Sequence, residues 1–93
     1  MTVSIKFVGA LRQTLGKKQF NLQLDRGQSI LDLIEKLSQK NPSAKKNLID
    51  QQEDPKPNAL ILINGREISV LNGLETKLQD GDEVVFIPVV HGG

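Results

Sequence analysis

Ser29-Ile30-Leu31-Asp32-Leu33-Ile34-Glu35-Lys36-Leu37-Ser38-Gln39-Lys40 predicts the main helix of the chain. Ser29 and Asp32 have the spacing of a capping box, in which each side chain satisfies an orphan amide of the first turn. Ile30, Leu33, Ile34 and Leu37 fall at i, i+3, i+4 and i+7, a single apolar stripe that has to be laid on a sheet. Lys36 and Lys40 lie toward the end, where cations suit the macrodipole. Asn41-Pro42 stops the helix, because the residue before a proline is pushed out of the α region.

Strand patterns flank this helix on both sides. Upstream, Val3, Ile5 and Phe7 alternate with Ser4 and Lys6, and Phe20, Leu22 and Leu24 alternate with Asn21 and Gln23. Gly9 ends the first run, Ala10 to Leu15 has room for a turn of helix, and Gly16-Lys17-Lys18 suits a hairpin connection. Downstream, Pro42 to Asn58 is polar, contains three prolines and is expected to be mostly loop, with Leu48 and Ile49 anchoring a short helix. Leu60 to Ile63 is an unbroken apolar strand. Asn64-Gly65 is a strong hairpin signal, since both residues tolerate positive φ. A short strand around Glu67 to Val70 is expected to return, Asn72-Gly73 marks a turn, and Asp80-Gly81-Asp82 turns into the last strand, Glu83 to Pro88.

Two strands, one helix, then two or three strands describe an α+β chain. The expected architecture is the β-grasp (ubiquitin-like) fold, a mixed four- to five-stranded sheet packed on one main helix. Its first and last strands are expected to be central neighbours. Residues 1–88 are expected to form the domain, and residues 89–93 a flexible C-terminal diglycine tail.

Composition narrows the function. Ninety-three residues suffice for one domain with a thin core. A hydrophobic content of 38% and a charged fraction of 25% fit a soluble globular protein. A net charge of +1 and three phenylalanines as the whole aromatic complement argue against direct nucleic-acid binding. The absence of cysteine removes disulfides, iron–sulfur clusters (and with them a plant-type ferredoxin) and a thiol nucleophile. No apolar run is long enough to span a bilayer, and Met1 to Lys6 lacks a signal-peptide layout, so a cytoplasmic protein without membrane contact is expected. The lone His91 forms no metal site by itself. Asp80 and Asp82 flank a glycine without the further spaced ligands of a calcium loop and are expected to be turn residues. No metal and no permanently bound cofactor is expected.

The chain end is the remaining place for chemistry. Two terminal glycines arise by chance in roughly 0.5% of chains. An α-carboxylate, with a pKa near ~3.5, is ionised and unreactive toward nucleophiles at neutral pH. It reacts once a separate enzyme has converted it to an acyl-adenylate with ATP and Mg²⁺. Glycine suits a narrow channel because it lacks a Cβ. Val89 to Gly93, if extended, would reach roughly 17 Å beyond the last strand.

Leu78-Gln79-Asp80-Gly81-Asp82-Glu83-Val84-Val85-Phe86-Ile87-Pro88, followed by Gly92-Gly93, resembles the end of the MoaD/ThiS family of ubiquitin-like sulfur carriers. Val3 to Arg12 resembles the opening of the molybdopterin synthase small subunit, and the likeness extends over most of the chain, least so over Pro42 to Asn58. The resemblance implies that an activating enzyme adenylates Gly93 and that a persulfide sulfur donor then converts it to a thiocarboxylate. The sulfur is passed on, in molybdopterin synthase to a pterin precursor on the large subunit, which receives the tail. In this reading the chain is a sulfur carrier and not an enzyme.

Two features point to a second branch. Pro88 is followed by Val89-Val90 where the small subunit usually has a double proline. His91-Gly92-Gly93 resembles the tail of the ubiquitin-related modifier of tRNA thiolation, whose members also attach to protein lysines. His91 is then a candidate recognition handle, and Gly92 enters the partner with it. Alternation places Val8, Val85 and Ile87 on the face of the sheet away from the helix, a candidate docking surface. Arg12 matches a partner-contacting position of the family. The contrasting class is a non-catalytic β-grasp interaction module whose diglycine is incidental.

Overall fold

The computed structural model of the chain describes residues 1–15, 19–50 and 56–89. In chain order the elements are β1 (Thr2–Phe7), α1 (Ala10–Leu15), β2 (Gln19–Gln23), α2 (Ile30–Lys40), α3 (Ser43–Leu48), β3 (Ile49–Asp50), β4 (Lys56–Pro57), β5 (Ala59–Ile63), β6 (Arg66–Glu67) and β7 (Glu83–Pro88). Short 3-10 turns cover Ile68–Val70 and Gly73–Glu75. Among the described residues, five strands make one mixed sheet in the order β2-β1-β7-β5-β6, and β3 and β4 make a separate two-stranded ladder. This is the expected β-grasp arrangement, with β1 and β7 as parallel central neighbours.

The start of α2 follows from its capping box. Ser29 N–H donates to Asp32 Oδ2 at 2.8 Å, and Asp32 N–H donates back to Ser29 Oγ at 3.3 Å. Ile30, Leu33, Ile34 and Leu37 are all buried, so the apolar stripe faces the sheet as its period requires. Two backbone bonds moor the helix start to the strand-like segment before the last turn: Ile30 N–H to Thr76 O at 3.0 Å, and Leu78 N–H to Gln28 O at 2.9 Å. The inward residues of β1, β5 and β7 meet the stripe. Phe86 is fully buried, and its ring centroid lies 5.5 Å from that of Phe7, which in turn lies 5.9 Å from Phe20.

The Asp80-Gly81-Asp82 turn ties three parts of the sheet together. Asp80 Oδ1 accepts the Thr2 amide at 2.7 Å, and Gly81 N–H donates to Thr2 O at 2.8 Å. Asp82 Oδ2 accepts the Gln79 amide at 2.7 Å, while its Oδ1 accepts Asn64 Nδ2 at 2.9 Å. Asn64 Oδ1 in turn accepts the Glu83 amide at 2.9 Å. Asp80 therefore acts through a backbone amide, and Asp82 through one backbone amide and the side chain of Asn64. Asn64 (φ 50°) and Gly65 (φ 83°) are both left-handed, the geometry of a two-residue hairpin that matches strand twist.

Two expectations fail. The return strand is only Arg66–Glu67, because the Glu67 carboxylate accepts the Ser69 amide at 2.6 Å and caps a 3-10 turn that drives Ile68 into the core. Within Pro42 to Asn58 the expected short helix is present, but Ile49–Asp50 and Lys56–Pro57 pair as a ladder where loop was expected. Leu48 closes α3 and Ile49 opens β3, and Ala44, Leu48 and Ile49 are buried among the core residues. Gly16-Lys17-Lys18 and residues 51–55 lie outside the described residues.

Replacing Phe86 by alanine should remove about 3–5 kcal/mol of stability by opening a cavity in the centre of the core. A urea midpoint unchanged within error would refute that packing. Asp82→Ala should cost about 1–3 kcal/mol, because two donors lose a charged acceptor. Preserved stability in the same titration would mean that the turn does not depend on its carboxylate.

Candidate functional site

The strand that leads to the chain end is the middle one. β7 lies between β1 on one side and β5 on the other, with Ile5 and Phe7 opposite Val84 and Phe86, and with Leu60 and Ala59 opposite Ile87 and Pro88. The last residues before the tail are thus held from both sides. His91, Gly92 and Gly93 lie outside the described residues, as does Val90.

Alternation along β7 divides its side chains. Val84 and Phe86 are buried against the helix, whereas Glu83, Val85 and Ile87 belong to the outer face. Register then assembles that face in rows. One row runs Gln19, Lys6, Val85, Leu62, Glu67 across the five strands, so two apolar residues at its centre are bounded by a cation and a carboxylate. The next row toward the tail pairs Ile87 with Leu60, and Val8 follows Phe7 on the β1 side. Val8, Val85, Ile87 and Leu62 are half-buried, and Leu60 is 39% exposed. Val89, the last described residue, is 49% exposed and continues the same apolar line. The outer face of β7 and β5 therefore changes from polar at Glu83 to apolar where the tail begins.

Arg12 lies on α1, exposed, and its amide donates to Gly9 O at 3.0 Å. α1 packs against β7 and α3, which puts it at the tail end of the sheet. Val8, Val85 and Ile87 are brought into one surface. Leu60 and Leu62 belong to the same surface and are not among the sequence candidates. Their signal was present: an unbroken apolar run such as Leu60 to Ile63 fits a strand that is apolar on both faces. Val70, on the 3-10 turn after β6, is a further exposed apolar residue at 68%.

Among the described residues, no group of three or more His, Asp or Glu side chains is placed to hold a metal. The carboxylates of Asp80 and Asp82 accept backbone amides, as described above. No described helix is long and apolar enough to cross a membrane. What the arrangement offers is an apolar outer face with a polar rim, next to a strand end that continues into the diglycine sequence.

Comparison with known proteins identifies the family. The model of the ThiS family matches residues 5–93. Small archaeal modifier protein 3 of Haloferax volcanii is 32% identical over 93 residues, covering all of both chains. Ubiquitin-related modifier 1 of Schizosaccharomyces pombe is 28% identical, again over the full length of both. The solution structure of small archaeal modifier protein 1 from Methanosarcina acetivorans superposes with a TM-score of 0.81 at 33% identity, covering 99% of this chain and 96% of that one. A Pyrococcus furiosus chain described as molybdopterin converting factor, subunit 1, gives a TM-score of 0.78 at 27% identity, covering 97% and 99%. Fold, full-length match and relatives agree: the chain belongs to the ThiS family of ubiquitin-like sulfur carriers and modifiers.

Proposed function

We propose that this protein is a sulfur carrier that works through the carboxylate of Gly93. The observation that carries the reading is the placement of β7: the central strand ends at Pro88 beside the apolar face of Val85, Ile87, Leu60 and Leu62, five residues before Gly93 in the sequence. An activating enzyme docks on that face and receives the tail. The Gly93 carboxylate oxygen attacks the α-phosphate of ATP, with Mg²⁺ held by the enzyme, and pyrophosphate leaves. The terminal sulfur of a persulfide donor then attacks the acyl carbon and AMP leaves. A second thiol cleaves the resulting acyl disulfide, itself becoming the disulfide partner, and the thiocarboxylate is released. The carrier is consumed stoichiometrically in each delivery.

The sulfur is proposed to go to a pterin precursor in molybdenum cofactor biosynthesis, with a molybdopterin synthase large subunit as receiving partner. The full-length likeness to the Pyrococcus molybdopterin converting factor subunit supports this. The second reading, a ubiquitin-related modifier for tRNA thiolation or lysine conjugation, is favoured by the full-length alignment with ubiquitin-related modifier 1 and by Val89-Val90 after Pro88. Both readings share the adenylation step.

Incubation with the activating enzyme, ATP, Mg²⁺ and a persulfide donor should raise the intact mass by the exchange of one oxygen for sulfur at Gly93. Deleting Gly93, or extending the chain beyond it, should abolish the gain without altering thermal stability. A truncated chain that still accepted AMP or sulfur would end the proposal. Leu60→Glu tests docking separately. It should raise KM for activation on the order of tenfold, the effect of losing one apolar anchor, with stability within about 0.5 kcal/mol. Unchanged KM for this variant would remove the outer face from the contact.

A further inference from the structure

Pro88 ends β7 between two of the smallest residues in the chain. On one side it pairs with Ala59 of β5. On the other side stands Gly9, in the loop where β1 gives way to α1. Val8 N–H donates to Phe86 O at 3.1 Å, and Gly9 O accepts the Arg12 amide in the first turn of α1, so both flanks of Gly9 are tied down. A Cβ on Gly9 would stand 3.3 Å from Cγ of Pro88 and 3.8 Å from its Cδ. The backbone of Gly9 is left-handed, with φ +59°.

That combination separates Gly9 from the other described left-handed glycines. Gly27, Gly65, Gly73 and Gly81 have φ between +58° and +86°, and a Cβ at any of them would meet nothing within 4 Å. Those four positions need glycine for conformation alone. Gly9 needs it for conformation and for the closeness of the proline ring. Proline has its own φ fixed near about −65°, so a seated ring fixes where the carbonyl carbon of Pro88 stands and leaves ψ as the one soft torsion before Val89.

We propose that Gly9 is a positioning residue: its bare Cα is the seat of Pro88, and that seat sets the direction in which Val89 leaves the sheet. The proposal rests on the reading that Gly93 is adenylated by a docked enzyme. Docking holds the domain by the outer face of β5 and β7, so the tail must enter the enzyme from a fixed point along a fixed line. Shifting that line leaves docking intact and lowers the fraction of bound chains whose carboxylate reaches the nucleotide. The effect therefore falls on kcat and not on KM.

Gly73 supplies the control, because its φ of +58° carries the same backbone penalty as Gly9 with open space around it. Both variants, Gly9→Ala and Gly73→Ala, should lose stability, Gly9→Ala by at least as much as Gly73→Ala because its Cβ also meets Pro88. Gly9→Ala should lower kcat for adenylation on the order of tenfold at unchanged KM, and Gly73→Ala should leave both within twofold. Adding Pro88→Ala removes the ring atoms that the new Cβ meets. The double variant Gly9→Ala with Pro88→Ala should therefore match Pro88→Ala alone in kcat, which ties the loss to the contact with the ring. Equal loss of kcat in Gly9→Ala and Gly73→Ala, no loss of kcat in either, or no coupling with Pro88 would overturn the assignment. The residual dipolar coupling of the Val89 N–H is read in parallel. If the wild-type chain is not adenylated at all, the activation reading fails and this coupling alone decides the role of Gly9. A change in Gly9→Ala that is absent in Gly73→Ala supports the seat, and identical couplings in wild type and Gly9→Ala refute it.

Discussion

Parallel hydrogen bonding between β1 and β7 is the constraint on which the rest of the structure depends. It joins Ser4 to Phe7 with Glu83 to Phe86, residues from opposite ends of the chain, so nearly everything between them is a crossover. The crossover must cover one face of the pair, and α2 does so with its apolar stripe. The aspartates of the last turn set the register. Asp80 and Gly81 take both backbone groups of Thr2, and the carbonyl of Asp82 accepts the Ser4 amide at 2.9 Å. A slip of one residue would turn Val84 and Phe86 outward and bring Glu83 and Val85 into the core. The inside of the molecule and its apolar outer face are consequently set by the same pairing.

That dependence explains which parts were legible in the sequence. α2 was readable because a capping box, a 3.6-residue period and a stop signal agree over twelve residues. The strands β1, β5 and β7 were readable from alternation or from an unbroken apolar run, and their order followed from the position of the helix. Glu67 to Val70 was not, because a local bond from the Glu67 carboxylate to the Ser69 amide outweighs strand propensity in a segment too short for periodicity. α3 was only partly readable. Its burial rests on Ala44 and Leu48, two apolar residues in a polar stretch, and on contact with α2 that no local pattern encodes.

The docking residues divide in the same way. Val8, Val85 and Ile87 follow from alternation on a single strand. Leu60 and Leu62 join them only through the register of β5 against β7, a fact of pairing and not of local sequence. Gly9 looks in the sequence like one more loop glycine. Its closeness to Pro88 spans nearly the whole chain and is visible only once β1 and β7 are side by side.

The central placement of β7 also has a mechanical consequence. Tension applied where β7 ends runs along the strand, while its ladder bonds to β5 run across it and those to β1 are slanted. The bonds on both edges are then loaded in shear and share the force, instead of opening one after another as they would in a strand peeled from a sheet edge. A tail pulled from this position transmits force to the whole domain before the strand yields.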